Sequence, residues 1–185
     1  MPADPRSGGS AARAARAFLL MLLLYWTVTF AGSRSPEVTA GSFLHLVNLV
    51  FHEAGHVVLS PFGHFMTALG GSLLQVLVPA ACAVALYRGA GDRFGAAVAA
   101  WWAGQNLVDL APYIGDARAL QLTLLGGATG AEVEGHDWEA ILASLGWLHH
   151  DRALADAAHL AGSVLMMAAL AAGGWLLGAS LRHSE

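Results

Sequence analysis

The chain contains few charged residues and a single cysteine. Only 12% of its 185 residues are charged, whereas a soluble domain carries about a quarter, so the apolar residues do not form a core inside a charged surface. With Cys82 alone, neither a disulfide framework nor a cysteine-based zinc site is possible within one chain, and any metal must be held by His, Asp or Glu. No cluster of basic residues with interleaved aromatics occurs, and the net charge is only -4, so nucleic-acid binding has no support.

Apolar residues make up 56% of the chain and are concentrated in runs. A run of about 20 apolar residues is what an α-helix needs to cross a bilayer core of about 30 Å. The runs occupy residues 17–32, 42–60, 67–87, 94–115 and 159–181. They predict an all-α, polytopic membrane helix bundle of four to five transmembrane helices that lies in a lipid bilayer.

The order of these runs predicts one membrane domain over residues 17–185, behind a basic, disordered leader at residues 1–16. Its core is predicted at residues 42–116, and a polar surface segment at residues 117–157 precedes the final helix. We interpret the first run as a retained helix, with a cleaved signal peptide as the alternative. The arginines of the leader favour a cytoplasmic N-terminus. Strict alternation of the helices then places residues 33–40 outside the cell and the polar segment in the cytoplasm. We therefore expect a plasma-membrane protein whose site faces the cytoplasm.

The motif that carries chemistry is His52-Glu53-Ala54-Gly55-His56. Residues four apart share one face of a helix, so His52 and His56 can present ring nitrogens to one zinc ion. Glu53 projects beside them and is predicted to be the catalytic base that takes a proton from the attacking water. The same helix face also carries His45, Asn48 and Ser60. Ionisable residues inside a membrane are functional by default, and the alternative is that these histidines are buried packing groups.

A catalytic zinc site normally has a third protein ligand, which must come from another part of the chain. The run at residues 94–115 and its end offer a second polar face. Its members are Gln105, Asp109, Pro112 and Asp116. The two aspartates lie about 10 Å apart along a helix, so we expect only one of them to bind. His136 and Asp137 are further candidates, although Asp137 also fits the N-cap of an amphipathic helix.

In these residues the chain resembles the site-2 protease group of intramembrane zinc metalloproteases, over roughly residues 48–116. The resemblance rests first on Val50-Phe51-His52-Glu53-Ala54-Gly55-His56-Val57. Asn106, Pro112 and Ile114-Gly115-Asp116 are similar to the family's later Asn-x-x-Pro…Leu-Asp-Gly motif, with Gly-Asp in place of Asp-Gly and a spacing longer by two. Gly70-Gly71-Ser72-Leu73-Leu74-Gln75 is similar to the family's glycine-rich stretch with a polar amide.

The resemblance implies an intramembrane zinc metallopeptidase that uses Zn²⁺ to hydrolyse peptide bonds of a membrane protein or peptide substrate. It implies Asp116 as the third metal ligand beside the two motif histidines. It also implies substrate-binding roles for Gln75 and Asn106, with a helix-packing amide as the alternative for Gln75.

Two other functions fit parts of the sequence. A catalytically inactive pseudoprotease or membrane scaffold is favoured by the altered Gly-Asp order. A di-iron membrane hydroxylase would use histidine boxes, for which His52 with His56 and His149 with His150 are candidates. The remaining histidines lack the repeated boxes that two irons require, and Glu53 would have no role.

Overall fold

The computed structural model describes residues 5–182, and within that range the regular elements are all helices, apart from one isolated bridge between Thr123 and Thr129. The helices are α1 (Pro5–Ala31), α2 (Pro36–Ala40), α3 (Phe43–Leu59), α4 (His64–Arg88), α5 (Arg93–Gly115), α6 (Asp137–Ser144) and α7 (Asp151–Arg182). Short 3-10 turns follow α3 and precede α7. The predicted all-α class is confirmed.

Four of the described helical segments are long and apolar enough to cross a membrane. They are Gly9–Ala31, Phe43–Phe62, His64–Arg88 and Leu148–Ser180. α5 is not among them, yet 13 of its 23 residues are buried, because it lies at the centre of the bundle against α4 and α7. Its polar side chains therefore face protein rather than lipid. These features confirm a multi-pass membrane helix bundle.

α1 begins earlier than the sequence predicts. The leader was predicted to be disordered over residues 1–16, but residues 5–16 are part of α1, and residues 1–4 lie outside the described residues. Alanine and arginine dominate residues 11–16, and both are strong helix formers. The apolar helix consequently extends backwards through the basic segment. Retention or cleavage of this helix stays a prediction.

α7 is antiparallel to both α1 and α5. The contacting pairs are Leu20 with Gly173, Phe30 with His159, Phe94 with Gly173 and Gly115 with Ala155. α1 and α5 therefore run in the same direction and finish at the end of the bundle where α7 begins. We call this the loop end, because residues 116–150 lie there.

The interface of these three helices forms the hydrophobic core. Its buried members are Leu23, Phe30, Trp101, Val108, Met166 and Ala169. α5 and α7 cross where Gly104 and Gly162 meet, and a Cβ on either glycine would clash with backbone of the other helix. Glycine thus allows the close backbone approach that packs membrane helices.

α3 begins within the bundle and ends at the loop end, as a re-entrant helix would. α4 is antiparallel to α5, to which a four-residue turn joins it, and so it begins at the loop end. α3 packs antiparallel to α4 and finishes at this same end. Its first turns lie inside the bundle, where His45 contacts Asp109 and Asn48 contacts Gln105. Since α1 also finishes at the loop end, the chain enters and leaves α3 from one side.

The predicted alternation of five spans is therefore wrong in one respect. It placed residues 33–40 on the opposite side of the membrane from the polar segment, but Arg34 forms an ion pair with Asp156, and His159 contacts the Ser33 carbonyl. α1, α4, α5 and α7 alternate in direction, and the segments before and after α3 both lie toward the loop end. Hydropathy could not reveal this, because a re-entrant helix is as apolar as a spanning one.

Candidate metal centre

His52 and His56 of α3 converge with Asp137 near the loop end. The His52 Nε2 atom lies 3.1 Å from Asp137 Oδ2, and His56 Nε2 lies 3.2 Å from the same oxygen. Among the described residues, these three form the one group of His, Cys, Asp or Glu whose ligand atoms all lie within 4.8 Å of one another. The motif pair is therefore brought together with a carboxylate 81 residues further along the chain.

The spacing of these three atoms fits a tetrahedral zinc ion. Zinc binds imidazole nitrogen and carboxylate oxygen at about 2.0–2.2 Å, and two ligands of a tetrahedral ion are then about 3.3–3.5 Å apart. The two observed nitrogen to oxygen distances, 3.1 and 3.2 Å, lie just below that value. The donor set of two imidazoles and one carboxylate is one that catalytic zinc sites use, with the fourth position left open.

Hydrogen bonds at the far side of each ring orient both imidazoles toward this point. His56 Nδ1 lies 2.8 Å from the Thr67 carbonyl oxygen, which can only accept, so Nδ1 carries the proton. His52 Nδ1 donates to Gln75 Oε1 at 2.9 Å. Each ring therefore turns its Nε2 nitrogen toward Asp137, where it can bind a metal when it carries no proton. Bonds of this kind fix the tautomer and direction of histidines that bind metals.

Three electron-pair donors thus face one another, and a cation or protons must lie between them. Burial alone would raise the pKa of the Asp137 carboxyl, but its interactions with His52 and His56 outweigh burial and hold that pKa below its ordinary value. Asp137 is therefore a carboxylate at neutral pH, which is the form that binds a metal.

Gly71 of α4 lines the space between the two imidazoles. A Cβ at this position would lie 2.5 Å from His52 Nε2 and 2.7 Å from His56 Nε2. Any side chain larger than hydrogen would therefore occupy the space in front of both nitrogens. The absence of a side chain at residue 71 keeps this space open for an ion.

Asp137 is held in place by three neighbours. Its backbone N–H donates to the Tyr113 hydroxyl at 2.8 Å. His136 precedes it as the N-cap of α6, with Nδ1 accepting from the Glu139 N–H at 3.1 Å. Trp138 donates its indole N–H to Ser72 Oγ at 3.0 Å, which fixes α6 on α4 beside Gly71. Asp137 was predicted as a possible N-cap, but it occupies the first helical position and turns its carboxylate to the histidines.

Asp116, which the resemblance implied as the third ligand, lies in a different environment. Its two carboxylate oxygens accept from the backbone N–H groups of Gln121 and Leu122, at 3.0 and 2.9 Å. It closes the turn after α5, and His136 Nε2 lies 3.5 Å away. The structure does not bring Asp116 into the group formed by the motif histidines and Asp137.

Asp109 is buried on α5 and also lies outside that group. Its carboxylate contacts His45 Nδ1 at 3.0 Å and accepts from Asn48 and Gln75. Asn106 is fully buried, and its amide donates to the Trp102 carbonyl on its own helix. Gln75 is buried as well and connects His52 with Asp109, so its amide is already used by the protein.

Glu53 is exposed and lies next to the two histidines on α3. The described residues give its carboxylate no hydrogen bond or ion pair, so it is free to accept a proton. By helical geometry it lies between the histidine face and the outward apolar face formed by Leu46, Val50 and Val57. These three side chains are 60–73% exposed. The carboxylate therefore lies where the centre meets the outside of the bundle.

Sequence reasoning did not identify Tyr113, Gly71 or Trp138. Tyr113 follows Asp109 by four residues and so continues the polar face of α5, which is a signal that could have included it. Gly71 lies in a stretch that the resemblance marked only for its amide. Trp138 gave no signal, because its role depends on how α6 folds back on α4.

Comparisons of the chain with protein-family models, with curated proteins and with solved structures give no match. The arrangement of its own residues therefore carries the functional argument.

Proposed function

We propose that this protein is an intramembrane zinc metallopeptidase whose metal is held by His52, His56 and Asp137. The convergence of the two motif histidines with one carboxylate is the observation that supports the proposal. The proposal takes Asp137 rather than Asp116 as the third ligand, because the Asp116 carboxylate is used by the turn after α5. The resemblance to the site-2 protease group then rests on the first motif.

A bound zinc ion would supply a Lewis acid that polarises a carbonyl group and makes a nearby water more acidic. Glu53 is the residue that would take a proton from the attacking water as its oxygen bonds to the carbonyl carbon. Glu53 would return this proton to the amide nitrogen as the carbon to nitrogen bond breaks. A carboxylate free of other partners suits this exchange, since it can hold and release a proton without disturbing the ligands.

The position of Glu53 also favours a membrane-associated substrate. Its neighbours on the outward side are apolar and exposed, and they would face lipid or another apolar chain. A substrate segment could lie along this face and reach the carboxylate without crossing the bundle. We therefore propose a membrane protein or membrane-bound peptide as the substrate class.

The arginine distribution favours a site on the outer side of the plasma membrane. At the end opposite the loop end lie Arg13, Arg16, Arg88, Arg93 and Arg182, whereas the loop end carries Arg34, Arg118 and Arg152. Cytoplasmic segments carry an excess of basic residues. With α1 and α5 parallel, this bias favours a cytoplasmic position for the N-terminal end of α1. The centre then faces outward, rather than the cytoplasm as predicted from strict alternation.

The test is to purify the full chain in detergent, measure its metal content, and follow cleavage of a model transmembrane substrate. We expect about one zinc per chain in the wild type and in Glu53→Gln, with cleavage lost only in Glu53→Gln. Glu134→Gln, which neutralises an exposed carboxylate of the polar segment, is the control and should cleave normally.

Zinc without cleavage of any membrane substrate would contradict the peptidase and favour the scaffold. Two irons per chain would favour the hydroxylase. In the described chain, however, His149 and His150 contact each other at the start of α7 and are not part of the metal-ligand group.

A further inference from the structure

A buried chain of polar side chains leads from His52 into the bundle. Gln75 receives a hydrogen bond from His52 Nδ1 and donates its own amide N–H to Asp109 Oδ2 at 3.1 Å. Asn48 donates to the same carboxylate at 3.0 Å. Asn48, Gln75 and Asp109 are all buried. A carboxylate at this depth is costly unless its oxygens are satisfied by donors, as they are here.

The carboxylate determines the direction of every bond in this chain. A carboxylate can only accept, so the Gln75 NH₂ group must face Asp109, and the Gln75 oxygen must face His52. That oxygen in turn requires a proton on His52 Nδ1. Asn48 is fixed in the same way, because its oxygen accepts from the Trp102 indole N–H at 2.9 Å while its NH₂ faces Asp109.

Without the negative charge on residue 109, the directions of these hydrogen bonds would no longer be fixed. An amide at residue 109 can donate to the Gln75 oxygen, and Gln75 can then turn its NH₂ group toward His52. His52 would have to accept at Nδ1 and would carry its proton on Nε2, where a metal needs a bare nitrogen. A change at residue 109, which lies outside the ligand group, would thus act on the ligand atom of His52.

We propose that Asp109 is a positioning residue that sets the tautomer of His52 through Gln75. The proposal rests on the metal centre proposed above and assigns to Asp109 and Gln75 a role other than ligand or substrate contact. Neighbours of this kind typically change metal affinity by about 10–100-fold when they are altered.

The test compares the metal affinity of the purified full chain with that of Asp109→Asn, using zinc and cobalt in competition with a chelator. We expect Asp109→Asn to bind both ions about 10–100-fold more weakly. The double variant Asp109→Asn with Gln75→Glu returns a carboxylate to the chain, now in direct contact with His52 Nδ1, and should recover most of the affinity. Asp156→Asn, with the same chemical change in an exposed ion pair, should bind as the wild type does.

A merely structural role for Asp109 would give a different pattern. Asp109→Asn would then lower the melting temperature of the metal-free protein, while the folded fraction bound metal normally, and Gln75→Glu would not restore anything. Either result would overturn the proposal. If Asp109→Asn does not fold, Gln75→Met interrupts the same chain without removing the charge and should show the same loss of affinity. Normal metal binding by Gln75→Met would also overturn the proposal.

Failure of the metal centre itself is a separate outcome. A wild-type protein that binds no zinc or cobalt would refute the proposed function, and with it this role of Asp109. Wild type and Asp156→Asn that bind metal, together with Asp109→Asn that binds equally well, would refute the role of Asp109 and leave the centre intact.

Discussion

Replacement of Gly71 by alanine should empty the metal centre while the protein stays folded. The new Cβ would lie 2.5 Å from His52 Nε2 and 2.7 Å from His56 Nε2, whereas ordinary contacts begin at 3.4 Å. Each ring nitrogen would have to withdraw by about 0.7–0.9 Å, and metal-ligand distances tolerate only about 0.2 Å. Both histidine ligands are therefore displaced at once. We expect zinc affinity to fall by more than about 100-fold, which corresponds to ~2.8 kcal/mol.

The fold should survive this substitution because the clashing atoms are the ends of side chains. Both imidazoles can rotate away from the methyl group, and alanine in the middle of a helix is favoured over glycine by about 0.5–1 kcal/mol. The free energy of unfolding of the metal-free protein should therefore fall by at most about 1–3 kcal/mol, the usual cost of an added methyl group in a packed site. Circular dichroism and thermal unfolding in detergent would measure it, beside metal content and chelator competition.

Gly174→Ala on α7 is the matched control. A Cβ at residue 174 would meet no atom within 4 Å, so this variant has the same chemical change in a helix without contact to the histidines. It should bind zinc as the wild type does. Wild-type zinc affinity in Gly71→Ala would refute the placement of the ion between His52, His56 and Asp137.

Three further predictions follow from the geometry. Asp137→Asn should lose zinc binding, whereas Asp116→Asn should keep it. Asp116→Asn should instead lower the free energy of unfolding by about 1–3 kcal/mol, because two backbone N–H groups lose their carboxylate. Metal content and thermal unfolding distinguish the two variants, and zinc loss only in Asp116→Asn would reverse our ligand assignment. Gly55→Ala should push α3 away from the Gly70 backbone and cost about 1–3 kcal/mol or more, so an unchanged melting temperature would contradict the close crossing. In a Cys82→Ala background, Glu37→Cys should react with a membrane-impermeant thiol reagent from the side of the loop end, and Ala90→Cys only from the other side. Labelling of both cysteines from one side would refute the re-entrant path of α3.

The fold class and the pairing of His52 with His56 could be predicted from the sequence because each depends on local periodicity. The apolar runs are long enough for membrane helices, and the four-residue spacing of His52 and His56 fixes them on one helix face. The side chains that complete the centre depend on tertiary contacts. Asp137 comes from a short helix beyond a polar segment, and no spacing rule connects it with α3.

The absence of Asp116 from the group formed by His52, His56 and Asp137 has a physical reason. A carboxylate at a helix end can bind a metal or close the following turn, and the sequence is compatible with both. Which role the carboxylate takes depends on whether backbone N–H groups donate to it, as those of Gln121 and Leu122 do here. The directions of the helices could not be predicted for a similar reason. Hydropathy gives the length and polarity of a helix, but not the depth in the bundle at which the helix begins.

The re-entrant path of α3 has a consequence for the two termini of the described chain. Because α1, α4, α5 and α7 alternate in direction, Pro5 at the start of α1 and Arg182 at the end of α7 lie at the same end of the bundle, and we expect both on one side of the membrane. Strict counting of five apolar runs gives an odd number and assigns the termini to different compartments. Reporter domains fused to the two ends of this protein should therefore report the same compartment. An error of one helix in the count would assign the proposed metal centre to the wrong side of the membrane.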